Sequence, residues 1–122
     1  MSRLLRYAGV GAVATATHYA LMVLAVEVGH WPAWLASGAG ALAGAQIAFW
    51  ANRRFTFGHR GGWWPAWCRF HATAGAGALL GMLLVDAGVQ AGLHYLLAQA
   101  GATVVVMLAT FVANRAWAFR PT

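Results

Sequence analysis

The chain has 122 residues, 61% of them hydrophobic and only 8% charged, against about 25% charged in a soluble domain. So few polar groups cannot cover a water-facing surface, which excludes a soluble globule and leaves a one-domain membrane protein. The net charge of +6 comes from eight arginines, no lysine, and two acids, Glu27 and Asp86. Those arginines sit only at the ends of apolar segments, so there is no free basic face and no nucleic-acid partner is expected.

Arg3 and Arg6 precede an apolar run over about 7–28, too long for a cleaved signal segment. Gly29-His30-Trp31-Pro32 then reads as a turn, with Trp favouring the membrane interface. A second span covers about 34–52 and stops at Asn52-Arg53-Arg54. Gly58-His59-Arg60-Gly61-Gly62 is the most polar stretch and the expected loop, and Trp63, Trp64 and Trp67 mark the return to the interface. Spans over about 70–89 and 95–114 follow, with a short turn between them at Gln90–His94. Each span is near the ~20 residues that a ~30 Å hydrocarbon layer requires.

The eight arginines all fall on one side of this arrangement. The connections around His30 and around Gln90–His94 contain none. The bias of basic residues towards the cytoplasm therefore predicts that both termini are inside.

The chain also repeats itself. Phe49, Ala51, Asn52, Arg53 and Phe57 recur 62 positions later as Phe111, Ala113, Asn114, Arg115 and Phe119, and Arg6-Tyr7 recurs 63 positions later as Arg69-Phe70. The expected fold is all-α: four transmembrane helices as two repeated hairpins in one orientation, related by a pseudo-twofold along the membrane normal. Small residues line up four apart (Ala8, Ala12, Ala16, Ala20; Gly40, Gly44, Ala48, Asn52; Thr73, Gly77, Gly81) and predict close helix packing.

The repeated Asn-Arg pairs are the first candidates for a site. A guanidinium matches phosphate oxygens with its planar fork of donors, although arginine at a helix C-terminus against lipid head groups needs no ligand at all. Asn beside Arg at both boundaries points to a shared polar site formed by Asn52, Arg53, Asn114 and Arg115, with Arg6 and Arg69 on the same side. His18 and Gln46 are the polar residues deepest in the membrane. Each can line a path or simply bond a neighbouring helix. Asp86 is a candidate partner for His18 or His94, while Glu27 reads as interfacial. The five histidines show no HxxxH or HExxH spacing and Cys68 has no partner, so neither a metal site nor catalysis is expected, and no cofactor is implied.

Three motifs in order resemble the GtrA-like family of small four-span membrane proteins. They are Arg6-Tyr7-Ala8-Gly9-Val10-Gly11 with Thr15, then Asn52-Arg53-Arg54-Phe55-Thr56-Phe57, then Asn114-Arg115-Ala116-Trp117-Ala118-Phe119. The resemblance covers essentially the whole chain, but it assigns nothing to Asp86 or to the Trp63–Trp67 stretch. It implies a flippase in the inner (plasma) membrane that moves polyprenyl-phosphate-linked monosaccharides for cell-surface polysaccharide synthesis. In that picture Arg53 and Arg115, with Arg6 and Arg69, hold the phosphate, Asn52 and Asn114 orient it, and Gln46 and His18 line the sugar path. Four spans hardly enclose such a path, so a homodimer is expected. The alternatives are a non-transporting adaptor that recruits a polyprenyl-phosphate glycosyltransferase and a small proton-coupled multidrug exporter.

Overall fold

A computed structural model of the chain describes residues 2–51, 53–54 and 63–113. Among them there are four helices, α1 (Arg3–Glu27), α2 (Ala33–Ala51), α3 (Trp63–Gln90) and α4 (Tyr95–Ala113), and no strand. Ala8–Glu27 and Trp64–Gln90 are long and apolar enough to cross a membrane, each with a mean hydropathy of 1.6, and Tyr95–Thr110 is a shorter apolar helix. Large side chains such as Leu79, Leu83, Leu97 and Leu108 point outward. That would be costly in water, whereas lipid chains solvate them as well as a protein core does.

Local chemistry sets the helix ends. Ser2 caps α1, its hydroxyl accepting from the Leu5 amide at 3.1 Å. At the end of α3 the Leu93 amide donates to the Gly88 carbonyl and the Gly92 amide to that of Val89. This paired closure needs a left-handed residue, and Gly92 supplies it at φ 99. α3 starts at Trp63 rather than near Phe70. The tryptophans read as the approach to the span lie within its first turns, and Pro65 sits where a missing N–H breaks no helical bond.

The helices run up and down, each packed on the next in the chain. Ideal Cβ atoms on Gly40 and Gly44 would stand 2.6 Å from the His18 carbonyl oxygen and 2.8 Å from that of Ala14. α1 and α2 therefore touch backbone to backbone. Gln46 meets His71 between α2 and α3, Gly77 faces Val106 between α3 and α4, and Tyr19 meets Thr103 between α1 and α4. This order puts the start of α1, the end of α2, the start of α3 and the end of α4 at one end of the bundle, the arginine end.

The buried residues fall into pairs with the spacing of the repeated motifs. Met22 and Val85, both fully buried, are 63 apart, and Ala36 and Ala98, also buried, are 62 apart. These four, with Ala102, form the apolar core at the end away from the arginines. One expectation fails: Ala8, Ala12, Ala16 and Ala20 lie on the exposed face of α1. Alanine suits a lipid-facing surface as well as a tight interface, so its spacing alone does not pick the packed side. The face of α1 that meets α2 carries Ala14 and His18 instead.

Candidate functional site

A cleft of about 370 Å³ lies in the middle of the bundle and is lined by all four helices. Its walls are small residues, among them Ala41, Ala45, Ala48, Ala74 and Ala78, and the polar groups gather towards its inner end. Beyond that end the Met22–Val85–Ala36–Ala98 cluster fills the bundle. At the other end the lining stops at Ala48, Ala74 and Thr110. Arg69 is five residues before Ala74 along α3, roughly 7 Å at ~1.5 Å per residue, and Arg53 lies just past the end of α2.

The polar floor is a connected network. Ser37 donates to Gln99 Oε1 at 2.5 Å, and Gln99 Nε2 donates to Thr103 Oγ1 at 3.1 Å. The Thr103 hydroxyl returns its proton to the Gln99 carbonyl at 2.8 Å and meets the Tyr19 hydroxyl at 2.7 Å. Ser37 and Gln99 are both 2% exposed and stand 62 positions apart, the spacing of the repeated motifs. A buried polar group must find a partner, and these have done so.

One atom has not. The His18 ring lies near the Ser37 backbone carbonyl, yet its Nε2 is buried with no hydrogen-bond partner. His18 lines the cleft with Thr15, a turn back on the same helix. An unpaired polar atom at membrane depth costs several kcal/mol by the usual order of magnitude.

Gln46 does not line this cleft. Its Nε2 lies 2.7 Å from His71 Nε2, while His71 Nδ1 lies 2.9 Å from the Trp67 carbonyl. With Nδ1–H donating to that carbonyl, Nε2 accepts from the Gln46 amide. The His71 ring also stacks on Trp67 at 3.9 Å, and Trp67 on Trp64 at 5.4 Å, giving a ladder of near-parallel rings along the first turns of α3. Asp86 pairs within its own helix, accepting from Gln90 at 2.8 Å, rather than with His18 or His94. Glu27 accepts from the Tyr95 hydroxyl at 2.8 Å and so ties α1 to α4.

Of the arginine candidates, Arg53 is half-buried at the end of α2, while Arg6 and Arg69 are exposed at the starts of α1 and α3. Asn52, Asn114 and Arg115 lie outside the described residues. Sequence reasoning missed Ser37, Gln99, Thr103, Tyr19 and His71. The 62-residue spacing of Ser37 and Gln99 was the available signal for two of them.

Residues 6–119 match the family described as GtrA/DPMS, transmembrane domain. The chain belongs to that family. This GtrA-like protein is thereby a membrane protein tied to glycosyl-lipid metabolism, in a family that is generally not catalytic. No match is found among curated proteins or among solved structures.

Proposed function

We propose that this GtrA-like chain moves polyprenyl-phosphate-linked monosaccharides across the inner (plasma) membrane for cell-surface polysaccharide synthesis. The observation that carries the reading is the cleft: polar at its floor, closed beyond by apolar packing, and ending a short way from Arg53 and Arg69. Both termini face the cytoplasm, so the arginine end receives the lipid from the cytoplasmic leaflet. Arg53 and Arg115, supported by Arg6 and Arg69, hold the phosphate by charge-assisted hydrogen bonds, and Asn52 and Asn114 orient it. The sugar enters between the helices, with His18 on its path, and the polyprenyl tail stays in lipid. Gln46 acts beside this path through His71. Two copies of the chain together enclose the head group more fully than four helices can.

The test is reconstitution in liposomes with a labelled polyprenyl-phosphate hexose. Arg53→Ala combined with Arg115→Ala is expected to slow translocation at least tenfold, roughly the loss of one charge-assisted contact of ~1.5 kcal/mol or more. An unchanged rate overturns these roles. No translocation by the unaltered protein, together with co-purification of a polyprenyl-phosphate glycosyltransferase, supports a recruiting adaptor instead.

A further inference from the structure

We infer that the seam between α1 and α4 is a lateral gate, the side on which the cleft opens into the lipid, and that the hydroxyls of Tyr19 and Tyr95 are the latches that hold it shut. The inference goes beyond the translocation reading, because it concerns where this bundle parts and not what passes through it.

The rim of the cleft points to that seam. Of its described lining residues only Thr15 on α1 and Met107 on α4 are exposed, and the rest are buried or half-buried. The space therefore reaches the surface of the bundle between those two helices. The packing agrees. Among the described residues, close backbone approach joins α1 to α2, α2 to α3 and α3 to α4, but scarcely α1 to α4. Helices in lipid are held together by tight packing and interhelical hydrogen bonds, so a seam that lacks the packing depends on the bonds.

Two such bonds cross it. Tyr19 reaches from α1 to α4, its hydroxyl 2.7 Å from Thr103 Oγ1. Tyr95 reaches the other way, from α4 to α1, and donates to Glu27 Oε1 at 2.8 Å. The opposite seam, between α2 and α3, is closed differently. The position 63 beyond Tyr19 is Met82, and it packs so closely there that an ideal Cβ on Gly38 would stand 2.5 Å from its sulfur. Parting α2 from α3 strips the buried Gly38 of that contact. Parting α1 from α4 strands much less. Glu27 is exposed, so its carboxyl exchanges Tyr95 for water at small cost, and Thr103 keeps its bonds to Gln99. The Tyr95 ring stays packed against the apolar core, ready to close the latch again.

The experiment measures distances between spin labels in the full-length protein held in lipid nanodiscs, with the exposed Cys68 replaced by alanine. One label pair, Leu24→Cys with Leu97→Cys, straddles the α1–α4 seam; the other, Leu42→Cys with Leu79→Cys, straddles α2 and α3. All four leucines are exposed. Tyr95→Phe should raise the ratio of wide to narrow α1–α4 distances about three- to tenfold, and Tyr19→Phe about threefold, as expected for one interhelical hydrogen bond each. The two together should raise it tenfold or more, with the α2–α3 distances unchanged. Glu27→Gln keeps an acceptor for Tyr95 and should widen the seam less than Tyr95→Phe; Glu27→Ala removes the acceptor and gives the same readout should Tyr95→Phe not fold. If the double tyrosine variant leaves the α1–α4 distances as they were, or if both label pairs widen alike, the gate is refuted. The readout is a distance, so this result and the outcome of the translocation assay stand or fall separately.

Discussion

The two hairpins make the same contact with the small residue on opposite sides. In the first, Gly44 of α2 lies against Ala14 of α1; at the positions 62 and 63 further on, Val106 of α4 lies against Gly77 of α3. Between α1 and α2 the obstacle to any Cβ at Gly44 is a backbone carbonyl at 2.8 Å. Between α3 and α4 the obstacle at Gly77 is a Val106 methyl at 3.1 Å. A helix interface in lipid needs little combined volume, and it is indifferent to which helix gives way. The exchange still has a consequence: the first hairpin is backbone-tight, and the second is spaced by side chains that can shift.

The next pair of positions sharpens the contrast. His18 packs on Gly40 in the first hairpin, and the position 63 beyond His18 is Gly81, whose ideal Cβ would meet only a Val106 methyl at 3.6 Å. One hairpin presents a ring to the cleft where the other presents a gap. The ring is therefore one-sided, even though both hairpins contribute to the polar floor through Ser37 and Gln99.

Gly44→Val should produce the largest loss of stability, about 3 kcal/mol or failure to reach the fold, because a carbonyl cannot move without its helix. Chemical unfolding followed by helix signal measures it. Adding Ala14→Gly should recover almost nothing, since the obstacle is the Ala14 oxygen and not its methyl. Recovery of more than ~1 kcal/mol would mean that the two hairpins are equally yielding. His18→Leu has the opposite sign. Removing the orphaned nitrogen should raise stability by roughly 1–2 kcal/mol, and a destabilised variant would mean that the ring is structural. Gly77→Ala should cost less than ~1 kcal/mol, because a flexible neighbour absorbs it; a loss matching that of Gly44→Val would erase the distinction. The smallest effect belongs to Gln46→Leu, about 0.6 kcal/mol, the average for an interhelical hydrogen bond in a membrane.

Much of this architecture was legible in the chain. Gly29, Pro32 and Gly92 punctuate the apolar runs where two of the turns fall, and the paucity of charge was enough to predict helices in lipid. The interior of the site was harder to read. Ser37, Gln99 and Thr103 are single polar residues inside apolar stretches, and nothing local separates a residue bonded across helices from one bonded to its own turn. Thr17, Thr73 and Thr110 do the latter, each returning its hydroxyl to the carbonyl four residues back. Gln46 stands out in the sequence as a polar residue inside an apolar run, but its contact with His71 depends on the rotation of α3, which the sequence does not fix. The alanines of α1 misled for the same reason, because a stripe has two sides and lipid accepts either.

The turns at the end away from the arginines are short, five residues at 28–32 and four at 91–94. Such ties keep α1 against α2 and α3 against α4 at that end, whatever happens elsewhere. On the proposed translocation reading, passage to the far leaflet comes from one hairpin rocking on the other as a unit. The seam between the two hairpins is where Tyr19 crosses to Thr103, Gly38 abuts Met82 and Glu27 reaches Tyr95.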